Sequence, residues 1–274
     1  MLRTRGAGYL FERETMKKVI VLLLFLFHFM LISTVFAQPP AVTNGLSYLT
    51  STQNPDGSWT GMINRGMLPT TMAVIETLSV LGQGNSQNYM NATSWLQAQQ
   101  TQDMTTSDYL SERIHALSVS GTDKDLLISY LDDMTGAWGG YYDFEVNNFD
   151  TALALQTLKA VNYPNQTIID NALYYLTSTQ NQDGGFGFYH GDDSNVYMTA
   201  VVLNTLSQFK SIYNLQTPIN NAVSYLLSKQ NSDGGFGSSP STVYETSLAF
   251  EALLASGAVG ADTAANIQNA INYL

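Results

Sequence analysis

The stretch Asn171-Ala172-Leu173-Tyr174-Tyr175-Leu176 leads through Gln180 into Asn181-Gln182-Asp183-Gly184-Gly185-Phe186-Gly187. The same order returns 50 positions later, from Asn221-Ala222 through Tyr225-Leu226 and Gln230 to Gly234-Gly235-Phe236-Gly237. An earlier copy holds Asn44-Gly45, Tyr48-Leu49, Gln53 and Asp56-Gly57-Ser58-Trp59; a weaker one holds Asn91-Ala92, Trp95-Leu96 and Gln100, and a shortened one ends in Gly136-Ala137-Trp138-Gly139-Gly140. A period of this size means one supersecondary unit stacked on copies of itself. Within each unit a first helix ends at the aromatic-Leu pair and Gln, and a Gly-rich turn leads into a second helix. Asn-x-Asp-Gly is strong helix-breaking chemistry, and glycine accepts the positive φ that a chain reversal needs. Second helices are expected over residues 71–81, 108–119, 151–161, 199–209 and 246–255. No strand-like alternation competes with these segments, so the fold class is all-α.

Small residue, aromatic-aliphatic pair, Gln, Gly and aromatic ring at fixed offsets resemble the QW repeat of squalene-hopene cyclases and the related repeat of protein prenyltransferases. Ala172, Tyr175, Leu176, Gln180, Gly184 and Phe186 match every position, as do Gly45, Tyr48, Leu49, Gln53, Gly57 and Trp59. The resemblance implies an α/α toroid, with first helices in an outer ring and second helices in an inner ring that this stretch need not complete. Where that family often carries Lys or Arg before the small residue, this chain has Asn44, Asn91, Asn171, Asn221 and Asn269. The Gln residues and the rings after the glycines read as staples between stacked repeats, the Gln meeting orphan backbone groups at a helix end.

The ends of the chain divide it further. Lys17-Lys18, an apolar run over 19–32 and Val35-Phe36-Ala37 before Gln38 form an export signal over residues 16–37. Residues 1–15 read as an upstream extension and 38–274 as the repeat domain, of about five hairpins with the last one cut short. Asn269-Ala270-Ile271-Asn272-Tyr273-Leu274 opens a further copy, so a turn and an inner helix are expected to follow. Secretion is the expected location, with an uncleaved N-terminal anchor as the alternative; stable membrane insertion after cleavage is not expected.

Charge narrows the partners. The chain's net charge is −11, and beyond residue 37 six bases face 20 acids. Such a surface offers no basic stripe for nucleic acid. With no cysteine in the chain, disulfides, thiolate zinc sites and cysteine nucleophiles are excluded.

Aligning the second helices on Leu78, Leu117, Leu158, Leu206 and Leu253 places Glu76, His115, Gln156, Asn204 and Glu251 in one polar column. Residues four before and three after share that helical face. Opposite it, Ile75, Leu78, Leu153, Leu155, Val202, Leu206, Phe250 and Leu253 are expected to pack against first helices. The column is either a polar ring around a ligand cavity or a set of groups that satisfy one another. No metal-ligand spacing accompanies His115, and neither a metal nor a cofactor is expected.

Class II terpene cyclases, within the family resembled, carry Asp-x-Asp-Asp-Thr-Ala, whose middle aspartate protonates the substrate. This chain has Asn147-Asn148-Phe149-Asp150-Thr151-Ala152 in its place. Asp150 is therefore a catalytic candidate, or a helix-start residue favoured by the positive end of the helix dipole. The zinc-site Cys of prenyltransferases has no match, nor has the Cys-Gly-Glu-Gln of complement-like thioester domains. Cobalamin carriers resemble the same architecture without catalytic residues. A last cluster, Phe188-Tyr189-His190-Gly191-Asp192-Asp193, offers Tyr189, Asp192 and Asp193 as ligand contacts, through ring stacking or oxygen ligation, or forms a solvated turn. These readings lead to a noncatalytic module binding a small molecule, carbohydrate or protein. The alternative is an enzyme on the same scaffold, a diverged terpene cyclase or a polysaccharide-cleaving enzyme.

Overall fold

A computed structural model describes residues 40–60, 66–99, 106–119, 137–140, 144–258 and 260–274. The expected export signal, Gln100 and Gly136 lie outside the described residues, as does the Tyr141-Tyr142-Asp143 part of one loop. The chain divides into two compact units, Met1–Ser51 and Thr52–Leu274. The first contributes helix α1 (Pro40–Ser51), none of whose residues is buried.

The second unit is built from α2 (Met67–Val80), α3 (Gln87–Ala98), α4 (Ser107–Val119), α5 (Asn148–Ala160) and α6 (Gln166–Ser178), then α7 (Val196–Phe209), α8 (Gln216–Ser228), α9 (Val243–Ser256) and α10 (Ala261–Tyr273). Helices α2, α4, α5, α7 and α9 pack side by side in chain order, while α3, α6, α8 and α10 lie against them as a second layer. This is the inner and outer layering of an α/α toroid. Between the layers sits the core: Ile75, Leu78, Leu96, Leu155, Leu176, Val202, Leu206, Leu226 and Leu253 are all fully buried. Each such side chain contributes on the order of 1.5–3 kcal/mol by leaving water. Leu153 departs from the expected outward set, because it faces the space enclosed by the inner helices.

Four of the inner helices, α2, α5, α7 and α9, start about one turn earlier than the sequence pattern suggests, and α4 starts one residue earlier. Asn147, Asn195 and Thr242 are the N-caps, their side chains accepting from the amides of Asp150, Met198 and Glu245 at 2.9, 2.8 and 3.1 Å. Each cap satisfies an amide that the helix itself cannot. The threonines expected at the helix starts lie inside the helices and do something else. Thr71, Thr151, Thr199 and Thr246 accept from the backbone amides of Trp59, Trp138, Phe186 and Phe236 at 2.9–3.0 Å, binding each turn to the inner helix that follows it.

The glutamines bind the same turns outward. Gln53, Gln180 and Gln230 each donate to the carbonyl of the turn glycine, at 2.9, 2.9 and 2.8 Å. Each also donates to a carbonyl of the next outer helix: Asn88 at 2.8 Å, Pro218 at 2.9 Å and Asn266 at 2.8 Å. The partner is thus the neighbouring repeat rather than the orphan end of the glutamine's own helix. Contact is close enough to exclude a side chain. A Cβ on Gly57, Gly184 or Gly234 would meet the carbonyl oxygen of Asn91, Asn221 or Asn269 at 2.5–2.6 Å, and the three glycines hold φ of 97°, 86° and 88°.

Gly184→Ala therefore combines a positive φ with a backbone clash and should cost roughly 1–3 kcal/mol or more of unfolding free energy in urea. Gly45→Ala, at an exposed helical position with nothing within 4 Å, should leave stability unchanged or raise it by up to about 1 kcal/mol. Equal effects of the two substitutions would remove the close approach as the reason for the turn glycine.

Candidate functional site

Stacking in register turns columns of sequence into layers of space. The inner helices line a cavity of about 470 Å³, and all five members of the polar column, Glu76, His115, Gln156, Asn204 and Glu251, face it. Seven residues before three of them stand Phe149, Tyr197 and Tyr244, which line the same cavity. Seven residues are two helical turns, so the rings occupy the same face about 10 Å closer to the helix N-termini. Between the two layers the wall is made by Met72, Ala73, Leu153, Ala200, Val201 and Leu248, with Ser111 and Glu112 from α4.

The aromatic layer is continuous. Phe149 and Tyr197 have centroids 5.9 Å apart, as do Tyr197 and Tyr244, and Phe149 stacks at 6.2 Å on Phe188, which meets Tyr189 edge-on at 4.9 Å. Its signal was present in the sequence, an aromatic residue two before each inner-helix threonine at 151, 199 and 246. Reading those positions for acids alone passed over it.

Members of the polar layer pair across neighbouring helices. His115 Nδ1 lies 2.6 Å from Glu76 Oε1, each side chain about one-third exposed. The hydrogen bond and charge of Glu76 hold the imidazole above its ordinary value, against the opposing effect of burial. Nδ1 is thereby fixed as the proton-bearing atom toward Glu76. Gln156 Nε2 donates to Thr205 Oγ1 at 2.7 Å, and Asn204 Nδ2 to Glu251 Oε1 at 3.3 Å.

Asp150 occupies a different place. Its carboxylate accepts from Asn147 Nδ2 at 2.6 Å while its amide donates to Asn147 Oδ1, a reciprocal capping pair at the start of α5. It is 3 % exposed and is not among the cavity-lining residues. Burial raises its carboxyl above the usual range, the Asn147 hydrogen bond opposes that, and Asp108 adds a further upward push. The position matching the middle aspartate of the cyclase motif is Phe149, which does face the cavity.

Tyr189, Asp192 and Asp193 lie in the exposed loop before α7, outside the cavity. Asp192 Oδ2 accepts from the Tyr189 amide at 2.9 Å and its carbonyl from Asn181 Nδ2 at 2.8 Å, so it organises the loop. Among the described residues no three His, Cys, Asp or Glu side chains come together in a way that could hold a metal ion. None of the described helices is long and apolar enough to cross a membrane.

Residues 106–274 match the prenyltransferase alpha-alpha toroid domain, and residues 26–112 match the squalene-hopene cyclase C-terminal domain. Comparison with curated proteins finds no match. Among solved structures, the type II terpene cyclase MstE from Scytonema superposes with a TM-score of 0.68 at 15% identity, over 85% of this chain and 77% of that one. A form of the same cyclase in complex with its substrate, geranylgeranyl dihydroxybenzoate, gives 0.67 at 15% identity over 85% and 76%. The ent-copalyl diphosphate synthase from Streptomyces platensis gives 0.60 at 17% identity, over 74% of this chain and 42% of that one. These neighbours, two forms of a type II terpene cyclase and an ent-copalyl diphosphate synthase that share the fold of this chain, correct the expectation of a noncatalytic module.

The His115–Glu76 pair can be checked directly. Because the folded imidazole titrates above 6.5, the pair's contribution to stability is complete below that value and is lost as pH rises through the folded value. An NMR titration should place His115 above 6.5 in the native protein. In Glu76→Gln only burial remains, so the midpoint should fall below 6.5; an unchanged midpoint would show that the pair does not form.

Proposed function

The chain belongs to the prenyltransferase alpha-alpha toroid domain family, and on that footing we propose that it is a terpene-cyclase-type enzyme acting on an isoprenoid-class small molecule in the inner-helix cavity. The observation that carries this reading is the cavity itself, where a paired imidazole and carboxylate share one space with three aromatic rings and the apolar side chains of α5, α7 and α9.

In this reading His115 supplies the proton. With Nδ1 turned to Glu76, Nε2 is the atom left to exchange a proton with the ligand. An imidazolium steadied by a carboxylate is a weaker acid than a carboxyl group, so it suits an epoxide oxygen better than an unactivated alkene. Protonation at oxygen breaks the strained C–O bond and leaves a carbocation, which a neighbouring C=C attacks to close a ring. The positive centre is held by the faces of Phe149, Tyr197 and Tyr244, each cation–π contact being worth about 0.5–2 kcal/mol depending on desolvation. Loss of a proton from the carbon next to the final cation returns His115 to its starting state. The product is an isomer of the substrate.

Incubation with an epoxyfarnesol, followed by mass spectrometry, should show products of unchanged mass and new retention time. His115→Ala and Glu76→Gln should lower turnover by on the order of 10²–10⁴-fold. Turnover retained in both variants would overturn the assignment of the acid, and loss in Asp150→Asn alone would move it to the capping aspartate.

Export belongs to the same proposal and is supported by the basic, apolar and small-residue order of residues 16–37. N-terminal sequencing of the extracytoplasmic protein should begin near Gln38; an intact N-terminus in the membrane fraction would replace secretion with anchoring.

A further inference from the structure

The cavity's charge is set by which side chains do not reach it. Among the described residues that line it there is no lysine or arginine, while Glu76, Glu112 and Glu251 all contribute, on three different helices, together with His115. The bases among the described residues are engaged elsewhere. The Arg113 guanidinium donates to the carbonyls of Leu96 and Gln97 at the end of α3. Lys210 Nζ donates to the Ala255 and Ser256 carbonyls at the end of α9, at 2.7 and 2.8 Å. Lys159 lies 5.4 Å above the Phe209 ring and Lys229 5.0 Å above that of Tyr225.

Within the polar layer the carboxylates differ. Glu76 is occupied by His115, whereas the hydrogen bond found for Glu251 among the described residues is the long one from Asn204. An ionised carboxylate has about four acceptor sites and donates nothing, so Glu251 keeps most of its capacity for a ligand. Along α5, α7 and α9 the cavity wall is apolar and aromatic for about 10 Å before it reaches the polar layer and Glu251, while α4 adds Ser111 and the further carboxylate of Glu112.

We infer that the cavity takes isoprenoid ligands whose polar end is an uncharged or cationic hydrogen-bond donor received by Glu251, and that it rejects diphosphates. This rests on the reading of the cavity as the ligand site. Two sources of a donor end, a hydroxyl and an ammonium, are separable because only the second gains from the negative charge. A diphosphate brings like charge against the carboxylates and finds no base in the described lining to receive it, which costs affinity on both counts.

Farnesol, farnesylamine and farnesyl diphosphate share one chain and differ only at this end. Calorimetric titration of the full chain at low ionic strength should give the amine at least about tenfold tighter than the diphosphate, with the alcohol between them. Glu251→Gln should weaken the amine several-fold and leave the alcohol close to its native affinity. Glu251→Lys should reverse the order of amine and diphosphate, a gain that a misfolded variant could not produce. Diphosphate binding as tight as the alcohol in the native protein, or an unchanged order in Glu251→Lys, would overturn charge selection while leaving the cavity as the site. If none of the three binds, both the selection and the cavity reading fail.

Discussion

The contact on which this architecture rests is the one between a turn glycine and the backbone of the neighbouring outer helix. At Gly57, Gly184 and Gly234 a carbonyl oxygen lies only 2.5–2.6 Å from where a Cβ would be. That approach lets a glutamine amide reach both the turn and the next helix with ordinary hydrogen-bond lengths. A larger residue would push the repeats apart and break both bonds together, leaving buried acceptors unpaired at about 1–3 kcal/mol each. On the other side of the same turn a threonine hydroxyl takes the amide of the ring-bearing residue. Each turn is therefore clamped to its own inner helix and to the next outer one, and stacking is a sum of these nearest-neighbour terms.

Equal clamping fixes the rotation of the inner helices, and the rotation makes the site. Because successive inner helices present the same face inward, a column five residues deep in the alignment becomes a polar layer around a cavity, and an aromatic column two turns away becomes a second layer. Once the layers form, their members become neighbours across helices. Glu76 meets His115 and Asn204 meets Glu251, so four of the groups that could bind a ligand are already tied to each other in two pairs. Pairing is what keeps polar groups in a partly covered space from destabilising the fold, and here it also gives the histidine a fixed orientation and a raised basicity.

The scarcity of bases in this chain has a structural side as well as a functional one. Arg113 and Lys210 both reach carbonyls at the C-terminal end of a neighbouring helix, where the helix dipole favours positive charge. Spending these two cations as inter-helix caps leaves the cavity with a negative balance among its described lining.

Much of this was legible from residues alone. The repeat, the helical class, the stapling glutamines and the membership of the polar column all follow from periodicity, because identical units must solve the same packing problem in the same way. The same periodicity displayed the aromatic column at Phe149, Tyr197 and Tyr244, although its meaning depended on knowing that those positions and the polar ones share a face. Tertiary structure alone decided which groups touch. The glutamine's second partner is in the next repeat, the Glu76–His115 pair spans 39 positions, and Asp150 turns into a capping bond with Asn147 while Phe149 takes the cavity-facing place. Spacing along the chain fixes which face of a helix a residue occupies, whereas the partner it meets is fixed by how closely two backbones can approach, and here that distance is set by glycines lying in a different part of the sequence from the site they shape.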